Sequence, residues 1–232
     1  LARYPSTLKL TFYCLIFALI TGVGIGIISA VKQYSWIDNI CVALSLLGVS
    51  APVFWVGMLL ILIFSVFLGW LPPSGSSSIL HWIMPVVTLG GQTSAYIMRI
   101  TRSSMLEVIR QDYIRTARSK GQTEFKTIVL HALRNALIPI VTITGNQVCV
   151  LLAGATVTET VFSLPGIGKL LVDSMNLKDY ATVQGVVLWV GLNCVVINII
   201  VDIIYCFVDP KVKTSFFKRK VKRMQKEVAA NV

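Results

Sequence analysis

The residues of this chain that could do chemistry are few and scattered. SLPGIGKLLV (163–172) comes nearest to a phosphate-binding loop, which needs G-x-x-x-x-G-K followed by Ser or Thr. Ser163 holds the first glycine position and Leu170 follows Lys169, so the backbone cradle and the magnesium-binding hydroxyl are both missing. The segment reads instead as a turn and a short, re-entrant helix. His81 and His131 stand alone, without Cys or acid partners at ligand spacing. Cys14, Cys41, Cys149, Cys194 and Cys206 lie in or beside apolar runs and form no C-x-x-C pair, the pattern of small buried hydrophobes. Asp202 is the one acid well inside an apolar run; it could pair with a nearby basic group or relay protons. The amides Gln92, Asn146, Gln147, Asn193 and Asn198, also within apolar runs, could line a polar pathway or bond neighbouring helices. These residues make no catalytic centre, cofactor site or metal site.

The elements that hold them are membrane spans. Of 232 residues, 55% are apolar and only 13% charged, against roughly 25% charged in soluble domains. From Asn39 to Met98 there is no Asp, Glu, Lys or Arg. Uncharged runs of about 20 residues are long enough to span as helices, and the ten-residue alternation of a membrane β-barrel is absent. The expected fold is an all-α integral membrane protein. Five spans are expected, at about 10–31, 39–69, 83–103, 135–158 and 180–208, in a transmembrane domain over 1–210. Pro52 interrupts the second run, which is also too long for one straight crossing, so a kink or break is expected near Ser50–Pro52. Gly22, Gly24 and Gly26 carry a GxxxG spacing, which serves either a close helix contact or a lipid-facing stretch.

Charge sets the expected orientation. The net charge is +11. Eight basic residues oppose three acids between Arg99 and Arg134, and eight oppose two from Asp209 onward. Because these clusters flank apolar spans, the positive-inside rule makes loop 104–134 and the basic tail 211–232 cytoplasmic. The tail fits against anionic lipid headgroups, and nucleic acid is not an expected partner. By alternation, residues 1–6, the uncharged stretch 70–82 and the segment 159–179 lie outside.

Within the inner loop, DYIRTARSKG (112–121) reads as a short helix. Tyr113, Ile114 and Ala117 share one side, Arg115 and Arg118 project elsewhere, and Gly121 breaks the helix or takes a positive φ. Thr123 can cap a second helical stretch leading into the next span. Such a stub could lie on lipid or dock a cytoplasmic partner.

YIRTARSKGQTEFKTIVLHALRNALIP (113–139) resembles the cytoplasmic loop of ABC transporter permease subunits, closest to the oligopeptide, dipeptide and nickel import family. Arg115, Thr116 and Ala117 occupy the positions of the general EAA motif, and Gly121 its glycine. The general motif ends I-x-L-P, where this chain has His131, Ala132, Leu133 and Arg134 and only Leu133 matches; the ALRNALIP ending is similar to the peptide and nickel subgroup. GVSAPVFWVGMLLILIFSVFLGWLPPSG (48–75), VTETVFSLPGIGKLLVDSM (157–175) and VDIIYCFVDPKVK (201–213) are similar to other segments of that family, in the same order.

The resemblance implies a type I ABC importer permease fold, six spans in the full subunit, and a chain lacking its first helix. It implies that Asp112, Tyr113, Arg115, Thr116, Ala117, Arg118, Gly121 and Glu124 couple the chain to a separate ATPase. Gln92, Asn146, Gln147 and Asn193 are the candidates for the pathway wall. The implied partners are a second homologous permease, two ATPase subunits, an extracytoplasmic substrate-binding protein and membrane lipid. No cofactor is expected on this chain; ATP and Mg belong to the ATPase. The cargo would be an oligopeptide, a dipeptide or a nickel-type complex. An ATP-independent secondary transporter or channel subunit is the alternative, and it leaves the coupling-loop resemblance unexplained. A reporter fused after Ser77 is expected outside the cell; a cytoplasmic signal would overturn the orientation.

Overall fold

The computed structural model describes residues 2–208, all-helical with no strand among the described residues. The basic tail 211–232 and the side chain of Asp202 lie outside the described residues. Helix α1 (Tyr4–Val31) has Pro5 in its first turn, where a missing N–H is harmless. After a turn with Tyr34 in the left-handed region (φ 62°), Ser35 caps α2 (Trp36–Ser50) by accepting the Asp38 N–H at 3.3 Å. Ala51 is extended (ψ 129°), as steric conflict with the following proline demands. Pro52 then opens α3 (Val53–Leu60), which widens into a π-helical stretch, Ile61–Phe67. The two halves meet at 104°. The interruption expected near Ser50–Pro52 is therefore a full break.

Next come α4 (Leu80–Ile109) and α5 (Asp112–Ser119), separated only by Arg110 and Gln111. A short α6 (Glu124–Lys126) continues through a π-helical stretch, Thr127–Leu133, into α7 (Arg134–Val161). Then follow α8 (Ile167–Asn176) and α9 (Tyr180–Val208). The helices on either side of α5 thus reach further into the 104–134 segment than composition indicated, and its non-helical remainder is short.

Among the described residues, three helices are long and apolar enough to cross a membrane: Tyr4–Val31, Glu124–Ala153 and Tyr180–Val201. The broken α2–α3 pair makes a fourth. Its contacts are those of a crossing segment. Asp38 on α2 bonds Arg102 near one end of α4, and Gly48 faces Ala95. The break lies beside mid-helix Gln92, whose amide reaches the Val49 carbonyl at 3.5 Å. Beyond it, Gly57 faces Phe162 and Val161 at the far end of α7. The fifth long helix, α4, does not meet the apolar test. Packed between α1, α2, α3 and α7, it needs no apolar surface all round. It buries Thr88, Thr93, Ser94, Thr101 and Ser104, and Thr88 and Thr93 donate to carbonyls one turn back.

Two clusters close the ends of the bundle. One joins Leu10, Met84, Leu89, Leu151, Phe162 and Leu164 at the α8 end. The other joins Ala30, Met105, Ile114, Ala132, Ala136 and Ile140 at the α5 end. Between them α1 crosses α4 at close range through Gly22 and Gly26. A Cβ on Gly22 would lie 2.7 Å from the Ser94 carbonyl oxygen, and one on Gly26 2.7 Å from Thr101 Cβ and 2.8 Å from the Met98 carbonyl oxygen. Gly24 meets nothing within 4 Å. The glycine spacing is therefore a helix contact, made by the outer two of the three residues. Gly26→Leu is expected to force α1 from α4 and to cost at least about 1–3 kcal/mol. Gly24→Ala is expected to be neutral. Thermal unfolding of the two purified variants checks the contrast.

Candidate functional site

The α5 stub is built from one buried edge. Ile114 is fully buried and Ala117 nearly so; their spacing of three puts them on one face. Ile114 sits in the cluster of Met105 from α4 and Ala132 and Ala136 from the α6–α7 helix. Burial of such a side chain is worth about 1.5–3 kcal/mol, enough to hold an eight-residue helix that would not persist alone. Tyr113, expected on the same face, lies at its edge, half exposed, with its hydroxyl near the Asn135 amide. Partial burial raises the pKa of its hydroxyl.

The C-terminal end is fixed by backbone geometry. Gly121 has φ +76°, a left-handed value that glycine adopts without a Cβ penalty. Its N–H donates to the Arg118 carbonyl at 2.9 Å and the Gln122 N–H reaches the Ala117 carbonyl at 3.4 Å, so the last turn's orphan acceptors are satisfied. Arg118 grips Glu124 with two bonds, 2.8 and 3.2 Å. Both side chains are exposed, and such pairs contribute only about 0–1 kcal/mol; this one fixes the angle between α5 and the next helix. Thr123 caps that helix, and His131 Nε2 lies 2.8 Å from Gln122 Oε1. Asp112, Arg115, Thr116 and Lys120 face outward, with Phe125 and Leu130 exposed beside them. The outward surface thus mixes charged side chains of both signs and polar side chains with apolar ones.

The amide candidates do not gather at one place. Gln92 is spent on the α2–α3 break. Asn193 donates to the Trp189 carbonyl and accepts from the Tyr4 hydroxyl. Gln147 is buried, and Asn146 on α7 is exposed. Among the described residues no three His, Cys, Asp or Glu side chains cluster as a metal site would require.

Two charged constellations were not foreseen from the sequence. Asp38, 1% exposed, accepts Arg102 Nε and Nη2 at 2.7 Å each, the Ser29 hydroxyl at 2.5 Å and the Tyr34 N–H at 3.0 Å. The Arg102 guanidinium, with the Ser29 and Tyr34 donors, pairs this buried carboxylate from α4, α1 and the α1–α2 turn. The available signal was an acid at the third position of a capped helix and an Arg on a long helix. At the other end Glu159, also 1% exposed, accepts the Thr7 hydroxyl at 2.6 Å and the Lys169 N–H at 3.0 Å. Burial raises its carboxyl, while Thr7 and the Lys169 and Gly168 N–H groups pull it back. Thr7 in turn accepts the Ile167 N–H at 2.9 Å. The N-terminus of α8, the segment nearest to a phosphate loop, is therefore filled by the chain's own carboxylate.

Comparison with known proteins decides what the stub belongs to. Residues 22–214 match the family model for the inner membrane component of binding-protein-dependent transport systems. The chain is a member of this permease family. It is 43% identical over 212 residues to the glutathione transport system permease protein GsiC of Escherichia coli K12, covering 91% of this chain and 69% of that one. The same protein of Pectobacterium atrosepticum is 46% identical over 211 residues, with the same coverage. The fold matches a chain of the inward-facing MetNI methionine ABC transporter, with a TM-score of 0.74 at 19% identity over 88% of this chain and 93% of that one. A chain of an amino acid ABC transporter gives 0.69 at 17% identity, over 88% and 91%. This permease is thus an inner-membrane, multi-pass, non-catalytic subunit of an ABC importer, whose partners include an ATPase and a substrate-binding protein.

Truncating the buried edge tests the α5 stub. Ile114→Ala is expected to cost about 2–5 kcal/mol locally and to speed proteolysis between Ser119 and Thr123. Arg115→Ala, on the open face, should leave the cleavage rate unchanged.

Proposed function

We propose that α5 is the lever by which a cytoplasmic ATPase drives this permease. The observation that carries the reading is mechanical: α5 is pinned by Ile114 and is nearly continuous in the chain with two long helices, α4 before it and α6–α7 after it. A displacement of such a stub moves both helices as bodies, which is hinge-type transmission. Asp112, Tyr113, Arg115, Thr116, Ala117, Arg118, Gly121 and Glu124 form the lever. Arg115 and Thr116 face the ATPase, Ala117 belongs to the anchor, and Gly121 with the Arg118–Glu124 pair sets the angle. The α5 end is cytoplasmic and the α8 end outside, as the distribution of basic residues requires. ATP and Mg act on the ATPase, and this chain binds no cofactor.

The complete importer pairs this permease with a second, homologous one and two ATPase subunits. The pathway runs between the two permeases, and Asn146, exposed on α7, is the best placed of the four amides to face it. The cargo is a small peptide. The likeness to permeases named for glutathione transport supports this, as does the lack of a metal-ligand cluster among the described residues, against free nickel.

Arg115→Glu and Gly121→Val are expected to abolish uptake in reconstituted importer, either by releasing the ATPase or by leaving hydrolysis uncoupled. The strain of a β-branched residue at φ +76° alone costs about 1–2 kcal/mol. Near-normal uptake with both substitutions contradicts the assignment.

A further inference from the structure

We propose that Asp38 and Arg102 are positioning residues for transport, forming the link through which motion of the lever reaches the broken helix α2–α3. The inference rests on the reading of α5 as that lever.

The α2 half is poorly anchored by apolar packing, whereas α3 and the π-helical stretch set Val53, Leu60, Ile61 and Phe64 against the cluster at the α8 end. On α2 only Asp38 and Ser45 are buried, on α3 only Gly57, and in the π-helical stretch none. Leu44, Leu46, Leu47, Phe54 and Trp55 are exposed. An element held as weakly as α2 would not follow a moving neighbour through packing alone. One strong tether remains. Arg102 lies two turns before the end of α4, and its guanidinium engages both Asp38 oxygens at 2.7 Å. A two-bond fork of this kind fixes orientation as well as distance. The same carboxylate takes the Ser29 hydroxyl on α1 and the Tyr34 N–H in the α1–α2 turn. Removing one member of a buried pair leaves the other charge unpaired, so the tether resists rupture.

The geometry converts this into transmission. Two residues separate α4 from α5, so α4 follows the lever. Arg102 then pulls the first turn of α2. The only other polar tie between α4 and this segment among the described residues is the long 3.5 Å contact from Gln92 at the break. Movement of α2 against α3 about Ala51–Pro52 would reshape the membrane-facing surface between them.

The experiment uses the complete importer in proteoliposomes, with paired spin labels on this chain. One pair joins Met175 on α8 to Ser119 on α5; the other joins Met175 to Leu47 on α2. All three positions are exposed. ATP is expected to shift both distance distributions in the unaltered protein. With Asp38→Asn, the Ser119 shift should persist and the Leu47 shift disappear, while substrate imported per ATP hydrolysed falls about ten-fold. Asp38→Glu should restore part of both. If Asp38→Asn does not assemble, Arg102→Lys, which keeps the charge and loses the fork, should diminish the Leu47 shift alone. A Leu47 shift that survives these substitutions overturns this inference and leaves the lever intact. Absence of the Ser119 shift in the unaltered importer overturns the lever reading itself.

Discussion

The burial of Ile114 is the contact on which the rest depends. An eight-residue helix is too short to persist in water by itself, and its exposed surface is dominated by charge. Wedged among Met105, Ala132 and Ala136, the isoleucine makes the stub part of the helices that flank it. A flexible loop would absorb a partner's motion within its own dihedrals; a stub pinned at its centre passes that motion on.

The bundle to which the stub is joined is unevenly packed. Helices α1, α4 and α7 are close-fitted, with glycines where α1 meets α4, and side chains in such packing behave as one body. The α8 turn is clamped by Glu159, whose carboxylate takes donors from α1 and from α8 itself. Gly166 leaves room for that carboxylate, which would lie about 2 Å from any Cβ placed there. The α2–α3 segment differs: broken at Pro52, it packs its α3 half against the cluster at the α8 end and ties its α2 half to α4 through the Asp38–Arg102 pair.

The sequence disclosed the architecture where one physical signal dominated. Long uncharged runs marked the apolar helices, and the lone Pro52 marked the break, though not its 104° angle, since angle depends on what each half packs against. The α5 helix and its end were legible because Ile114, Ala117 and Gly121 obey local rules of helix periodicity and termination. How far Tyr113 is covered was not legible, because a position at the edge of a buried face is decided by the neighbouring helix. The GxxxG spacing could not say which glycines touch, since that depends on the rotation of α1 against α4. Asp38 with Arg102 and Glu159 with Thr7 were hidden for another reason. Each joins residues distant in the chain, and a charge near the end of a span looks the same whether it is solvated or paired.

The central claim is that α5 bears on an ATPase. A photo-crosslinking amino acid at Thr116, on the exposed face of α5, tests this contact directly when irradiated in proteoliposomes turning over ATP. Adducts with the ATPase subunit are expected in every nucleotide state. Adducts with phospholipid alone, throughout a working cycle, would contradict it.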